Sequence, residues 1–168
     1  RDVLAVLSSF NLREGLVMKR NPGKKRKQQL IQVWSYDQTI KALPYLLEVI
    51  RSLRENYLAM QFANHRLNKI SQRKERPDRS AFIAKQEAQI DSETASSKYS
   101  QDVAELESMG MFIASPGNGV VAIPFIEEEQ LAWFILELYH EDHVVGWCYQ
   151  SDPLDTRRAI LPKHKVVT

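Results

Sequence analysis

A regular spacing of apolar residues between Leu43 and Leu67 limits what this chain can fold into more than any other feature. The series steps three and four residues at a time, through Leu43, Leu46, Ile50, Leu53, Tyr57, Met60, the polar Asn64 and Leu67. Side chains with this spacing line one side of an α-helix and form a seam for a second helix. The spacing therefore predicts a helical rod of roughly 40 Å over about 27 residues.

A short capped helix is expected immediately before this rod. Ser35 and Gln38 have the Ser-x-x-Gln spacing of a capping box, in which the two side chains satisfy backbone N–H groups at the start of a helix. Pro44 lacks a backbone N–H and disfavours helical geometry in the residue before it. We therefore expect the first helix to end near Leu43 and to kink or restart at Pro44.

A second helix is predicted from Asp78 or Ser80 to Met109. Asp78 and Ser80 are suitable N-cap residues after Pro77, and Gly110 stands where a left-handed C-terminal cap is expected. The apolar positions of this helix are small or widely spaced, which lets two helix backbones approach closely. The two helices are therefore expected to form an antiparallel helical hairpin.

After Gly110 the apolar pattern changes to that of β-strands. Four runs rich in β-branched and aromatic residues are separated by turn residues: Met111–Ala114, Val120–Ile126, Leu131–His140 and Val144–Tyr149. Asn118-Gly119 is a strong hairpin signal because both residues tolerate positive φ. Pro124 removes a ladder donor and indicates an edge strand or a bulge.

Together these signals predict an α+β fold: a long antiparallel helical hairpin, preceded by a short capped helix, packed on a small antiparallel sheet of about four strands. The expected organisation is a basic, disordered arm over 1–30, a single domain over 31–162 and a tail over 163–168. Within the domain we assign the hairpin to 36–109, the sheet to 111–149 and a carboxyl-terminal loop to 150–162. We further expect that 1–17 precede the natural start, at Met18.

The strand beginning at Leu131 is apolar on both faces, so one face can cover the helices while the other needs a different cover. The tail or a second subunit could supply it, and we predict a homodimer whose interface includes Trp133, Ile135 and Asn64. Asn64, the polar residue in the helical seam, has two interpretations: it specifies a partner, or it marks a solvent-wetted end of the seam.

Charge is strongly segregated along the chain. Residues 1–30 carry eight Lys or Arg and two acids, whereas 99–156 carry eleven acids and no Lys or Arg. Cations on a mobile arm bind phosphates in a salt-sensitive way that ignores base sequence, or they only keep a chain in solution. The nucleic-acid hypothesis assigns phosphate contacts to Lys19, Arg20, Lys24, Lys25, Arg26 and Lys27, and to Arg73 and Lys74 at the hairpin tip.

The sequence contains few residues arranged for catalysis. Phosphate-binding, dinucleotide-binding and nucleophile-elbow motifs are missing. His140, His143 and Cys148 are the one cluster with metal-ligand residue types, but alternate strand residues point to opposite faces, so we expect no metal and keep these three as the alternative. Glu127–Glu129 are expected to be a solvated turn rather than catalytic carboxylates.

Arg157 and Arg158 have two interpretations. They bind an anionic ligand, or they form structural ion pairs with acids of the same sheet, which is the simpler account. The single cysteine, Cys148, fits a reducing compartment, and no apolar run approaches the roughly 18 residues that span a membrane. We therefore expect a cytoplasmic protein without a cofactor, more consistent with an interaction or scaffold role than with an enzyme.

The order of these segments resembles a bacterial family catalogued as domain of unknown function 2203. The resemblance covers about residues 34–161. It rests on Trp34-Ser35-Tyr36, Leu43-Pro44, Gly119-Val120-Val121-Ala122-Ile123-Pro124-Phe125, Leu131-Ala132-Trp133-Phe134, Gly146-Trp147 and Arg157-Arg158. It implies a recurring α+β domain and no particular reaction.

Overall fold

The structure, a computed structural model, describes residues 5–6, 30–72 and 78–165. Two long helices are followed by a four-stranded antiparallel sheet, so the α+β class and the helical hairpin are confirmed. The elements are β1 (Ala5–Val6), β2 (Leu30–Ile31), α1 (Tyr36–Ser71), α2 (Arg79–Ser108), β3 (Phe112–Ser115), β4 (Val120–Glu127), β5 (Gln130–Glu137), β6 (Val144–Tyr149) and a 3-10 helix (Pro162–Lys165).

Helix α1 begins as predicted but does not stop at Pro44. The Ser35 hydroxyl accepts from the Gln38 N–H at 3.1 Å, and the Gln38 side chain accepts from the Ser35 N–H at 2.8 Å, which completes the capping box. The expectation of a separate short helix is wrong, because α1 runs without a break through Pro44 to Ser71. Buried residues flank the proline, Thr39 before it and Leu46 after it, so packing on both sides keeps this segment helical.

Helix α2 has the predicted boundaries. The Asp78 carboxylate accepts from the Ala81 N–H at 2.7 Å, which fixes the first turn and lowers the pKa of Asp78. At the other end Gly110, with φ of +78°, donates to the Glu107 carbonyl while Met111 donates to the Leu106 carbonyl. These two bonds are the Schellman motif and turn the chain directly into β3.

The sheet is a simple meander in the order β3-β4-β5-β6. Each strand pairs antiparallel with the next, and the β4–β5 register runs from Val120 opposite Glu137 to Glu127 opposite Gln130. The predicted strands are confirmed, except that β5 ends at Glu137 and His140 lies in the following turn. At the far side, Trp147 and Arg158 exchange two backbone hydrogen bonds, so the carboxyl-terminal segment covers the edge of β6.

Pro124 lies in the interior strand β4, beyond the point where the neighbouring strand β3 ends. The pairing of β3 with β4 runs only from Phe112 opposite Ala122 to Ser115 opposite Val120, so β4 continues beyond the end of β3. There the Trp34 N–H donates to the Pro124 carbonyl at 2.7 Å. Because the N and C=O of one strand residue point to the same side, the missing N–H of Pro124 faces away from β5 and costs no ladder bond.

The main core lies between the helical hairpin and the inner face of the sheet. Residues 46–53 of α1 and Leu106 of α2 contribute aliphatic side chains, and the sheet contributes aromatic rings. Phe125 and Phe134 are stacked with centroids 3.8 Å apart, and Tyr36 meets Phe134 edge-on. The lead-in to α1 is fixed to this core by Trp34, whose indole N–H donates to the Met109 carbonyl at 3.1 Å.

The outer face of the sheet carries a second, smaller apolar cluster. Ala122, Ile135 and Cys148 are fully buried, and Trp133 is 4% exposed. Both faces of the sheet are therefore buried, as the apolar alternation of β5 predicts.

The predicted amino-terminal arm lies largely outside the described residues. Its described parts, β1 and Leu30 of β2, form a short antiparallel pair in which Ala5 lies opposite Ile31.

Within the described part of the chain, no helix combines the length and apolar character that crossing a membrane requires.

The packing of the turn between β3 and β4 against Leu138 can be tested by mutation. Gly119 has φ of +65°, and a Cβ atom there would lie 2.8 Å from the Cβ of Leu138. We predict that Gly119→Ala lowers the free energy of unfolding by about 1–3 kcal/mol because of backbone strain, before any cost of this clash.

The matched control is Gly117→Ala in the same turn, whose nearest atom is the Tyr57 ring at 3.3 Å. Urea denaturation of both variants checks the prediction, and an equal loss in the two would contradict it.

Candidate functional site

The outer half of the helical hairpin extends beyond the sheet. Among the described residues, none from 58 to 98 belongs to the core cluster that joins the helices to the sheet. We call this part, α1 from Leu58 to Ser71 and α2 from Arg79 to Lys98, the distal hairpin. The 14 residues of α1 in it correspond to a projection of about 20 Å.

Small side chains fill the interface between the two helices in the distal hairpin. Its buried residues are Ala63, Ala88 and Ser92. The Ser92 hydroxyl donates to the side-chain carbonyl of Asn64, so Asn64 is paired across the helices. The helix backbones can approach closely here, but the interface buries little apolar surface.

Large apolar side chains lie on the outside of the same segment. Phe62 is 70% exposed and Phe82 is 65% exposed, and the other large exposed residues of the distal hairpin are Leu58, Ile83 and Ile90. An ordinary helical hairpin shows the opposite arrangement, with large apolar residues inside and polar ones outside. Exposed apolar side chains concentrated in one region are typical of an interaction surface.

One face of the distal hairpin contains a groove with a volume of about 310 Å³. The small residues Ala59, Ala63, Thr94 and Ala95 of both helices line it, and so does Phe62. Arg66 and Asp91 form an ion pair across it at 3.1 Å. The groove is lined by Asn56, Ala59, Phe62, Ala63, Arg66, Asp91, Thr94, Ala95 and Lys98.

The two ends of the hairpin differ in charge. Lys69 and Arg79 are exposed near the tip, whereas Glu105 and Glu107 are exposed near the sheet. The sheet and its turns add acids and no Lys or Arg as far as Thr156. The hairpin is therefore positive at its tip and negative at its base.

Arg157 and Arg158 both form ion pairs with acids of the sheet region. Arg157 donates to the Glu137 carboxylate at 2.8 and 3.2 Å, and Arg158 donates to Asp152 at 2.8 and 3.2 Å. The guanidinium of Arg158 also lies over the rings of Trp147 and Tyr149. These contacts hold the carboxyl-terminal segment on the sheet.

The residues of the alternative metal site are not brought together. His140 and His143 lie in the turn after β5, where the His140 ring accepts from the Asp142 N–H, whereas Cys148 is buried in the outer-face cluster. Burial raises the pKa of the Cys148 thiol, which keeps it protonated and weakens it as a ligand. Within the described ranges, no three His, Cys, Asp or Glu side chains converge as metal ligands.

The other predicted site residues have different surroundings. Trp133 and Ile135 are buried within the chain, and Asn64 is bonded to Ser92, so an interface that includes them stays a prediction. The phosphate-contact candidates Lys19, Arg20, Lys24, Lys25, Arg26, Lys27, Arg73 and Lys74 all lie outside the described residues.

Sequence reasoning missed the exposed residues of the distal hairpin. Leu58 and Phe62 are four residues apart, and Ile83 and Ile90 are seven apart, so each pair falls on one side of its helix. This helical spacing of apolar residues outside the main seam is the sequence signal for the exposed surface. It could not be told from ordinary scattered surface residues until the inner positions were known.

The ion pair that holds the carboxyl-terminal segment can be tested by titration. Hydrogen bonds from Arg158 and from the Tyr149 N–H hold the pKa of Asp152 below its ordinary value. A carboxylate with a lowered pKa favours the folded state at pH above its unfolded pKa, and this contribution is lost as the pH falls through the folded pKa.

We predict that Arg158→Gln raises the pKa of Asp152 towards that of an ordinary aspartate, measured by NMR titration of the carboxyl carbon. Arg157→Gln is the control, because Arg157 pairs with Glu137 instead. The same Asp152 titration midpoint in both variants would contradict the assignment.

Comparisons with protein-family models, curated proteins and solved structures found no match to this chain. The resemblance to domain of unknown function 2203 stays a prediction.

Proposed function

We propose that this protein is a cytoplasmic, non-enzymatic scaffold that assembles as a homodimer through the groove face of its distal hairpin. The observation that carries the proposal is Phe62, which is 70% exposed and lines a groove together with four small residues of the two helices. In a two-fold dimer the same surface of each copy faces the other, so each Phe62 can fill the groove of its partner copy.

Charge complementarity favours a second copy over an unrelated partner. The tip of the hairpin exposes Lys69 and Arg79, and the base exposes Glu105 and Glu107. When two hairpins pack antiparallel, the positive tip of each lies beside the negative base of the other. Opposite charges placed in this way fix the orientation of the two copies and raise the rate of their association.

The distal hairpin has small residues inside and large apolar residues outside, and this arrangement supports the same proposal. Its interior holds Ala63, Ala88 and Ser92, so the two helices gain little from packing on each other here. Burial of the exposed Phe62 side chain in an interface contributes roughly 1.5–3 kcal/mol. Dimerisation would therefore supply the apolar contacts that the hairpin lacks alone.

The dimer is tested by replacing Phe62, which lines the groove. We predict that the wild-type chain has the mass of a dimer at micromolar concentration in light scattering. Phe62→Ser should raise its dissociation constant by at least about tenfold, because a buried aromatic anchor is lost.

The matched control is Phe82→Ser, which removes a ring that is equally large and 65% exposed but does not line the groove. The variant Lys69→Glu should also weaken the dimer, since it places a negative charge opposite the acidic base of the other copy. A monomeric wild-type chain, or equal effects of the two phenylalanine variants, would contradict the proposal.

A second candidate function is association with nucleic acid. It is favoured by the net charge of +6 that eight Lys or Arg and two acids give to residues 1–30. Lys69 and Arg79 at the hairpin tip could add phosphate contacts at the end of the molecule that lies farthest from the acidic sheet.

This candidate predicts salt-sensitive binding of random-sequence RNA or DNA, measured by fluorescence anisotropy. Replacement of Lys24, Lys25, Arg26 and Lys27 by Gln should abolish the binding at moderate salt, because each neutralised phosphate contributes to the salt dependence. The control is Lys85→Gln and Lys98→Gln on the hairpin. No binding by the wild-type chain at low salt would exclude this function.

A further inference from the structure

One stripe of residues on the groove side of α1 has the same spacing in both chain directions. Ala59, Phe62 and Arg66 line the groove, and Glu55 lies one turn before Ala59 on the same side of the helix. The steps between the four residues are four, three and four, so the reversed stripe again has steps of four, three and four. We call these four residues the α1 stripe.

This symmetric spacing determines what the stripe meets when a second copy packs on it. In a two-fold dimer with antiparallel α1 helices, the stripe of one copy faces the reversed stripe of the other. All four positions are then opposed at once, with Glu55 facing Arg66 and Ala59 facing Phe62. Each of these contacts occurs twice, once on either side of the two-fold axis.

The opposed residues at the centre of the stripe are complementary in size. Phe62 is large and 70% exposed, whereas Ala59 is small and exposed. A large side chain opposite a small one lets two packed surfaces interdigitate without a void or a clash. In this register the Phe62 ring of each copy enters the groove of the other beside Ala59.

The opposed residues at the ends of the stripe are complementary in charge. Glu55 is exposed, and the Arg66 side chain is 47% exposed. Arg66 pairs with Asp91 of its own chain through Nη1 at 3.1 Å, and its guanidinium has further N–H groups that can meet a second carboxylate. Parallel helices in the same register would instead place Glu55 against Glu55 and Arg66 against Arg66, so like charges select the antiparallel direction.

We propose that the α1 stripe is the recognition surface for a second copy of this chain, with Glu55 and Arg66 as the residues that select the partner and fix its direction. This inference rests on the homodimer proposed above and adds to it the helix, the direction and the register of the contact.

Reversal of the charge at one end of the stripe tests this selection in the full chain. Glu55→Arg and Arg66→Glu should each raise the dissociation constant of their own homodimer at least about tenfold, because like charges then face each other on both sides of the axis. Sedimentation equilibrium measures the change. The effect should shrink as salt is added, since these charges are exposed.

An equimolar mixture of the two variants is the decisive measurement. In the mixed dimer the two introduced charges face each other, and so do the two unchanged ones, so each contact is attractive again. The mixed dimer should form with a dissociation constant within about threefold of the wild-type value, and native mass spectrometry should detect it in preference to either homodimer. Arg66→Glu loses its pair with Asp91 in the mixture too, so this recovery cannot arise within one chain.

The control for the register is Glu55→Arg mixed with Lys69→Glu. Lys69 is exposed and lies one turn beyond Arg66, so this mixture has the same introduced charges at a different spacing. It should dimerise at least about threefold more weakly than the mixture of Glu55→Arg with Arg66→Glu, because one pair of like charges remains.

The centre of the stripe offers a second test that leaves the charges unchanged. Ala59→Phe brings two rings together at each contact and Phe62→Ala removes the ring, so each variant should form its own dimer at least about tenfold more weakly than wild type. An equimolar mixture places one ring against one alanine at both contacts. It should recover to within about threefold of the wild-type dissociation constant.

The outcomes separate this inference from the homodimer itself. A monomeric wild-type chain would overturn both. A dimeric wild type in which either mixture fails to recover would overturn the inference alone, because the dimer would then use another contact. Equal recovery in the Lys69 control would overturn the assigned register.

Discussion

The packing of α1 on the inner face of the sheet is the contact on which the rest of the structure depends. Leu46, Ile50 and Leu53 are fully buried in one cluster with the aromatic rings of the sheet. Each such side chain contributes roughly 1.5–3 kcal/mol when it leaves water. The hairpin, the meander and the lead-in at Trp34 all bury their apolar faces only because this contact exists.

This contact also divides the hairpin into an anchored half and a projecting half. The anchored half buries large aliphatic residues, whereas the distal hairpin buries Ala63, Ala88 and Ser92 and exposes Phe62. The homodimer that we propose uses the projecting half, since Phe62 and the groove both lie there. At the sheet end of the molecule, Glu137 and Asp152 form ion pairs with Arg157 and Arg158 of the carboxyl-terminal segment.

The candidate sites were only partly predictable, because they depend on pairs that are distant in sequence. The sequence predicts either anion binding or ion pairs for Arg157 and Arg158, and the structure contains the ion pairs with Glu137 and Asp152. The exposure of Phe62 could not be predicted, since its four-residue spacing from Leu58 fits a buried or an exposed position equally. Glu127 resembles its two neighbours in the turn, but it is buried opposite His164, so the expectation of a solvated turn is wrong for this residue.

The sequence by itself determined the elements whose signals are local. The Ser35–Gln38 capping box, the Asp78 cap, the turn at Gly110 and the four strands depend on residues a few positions apart, and the structure contains each of them. The tertiary structure decided the features that local sequence rules leave open and those that these rules disfavour. Helix α1 continues through Pro44 because burial on both sides outweighs the lost hydrogen bond, and Glu127 meets His164 because the chain folds back across the sheet. Local geometry is encoded in neighbouring residues, whereas burial depends on which distant surfaces come together.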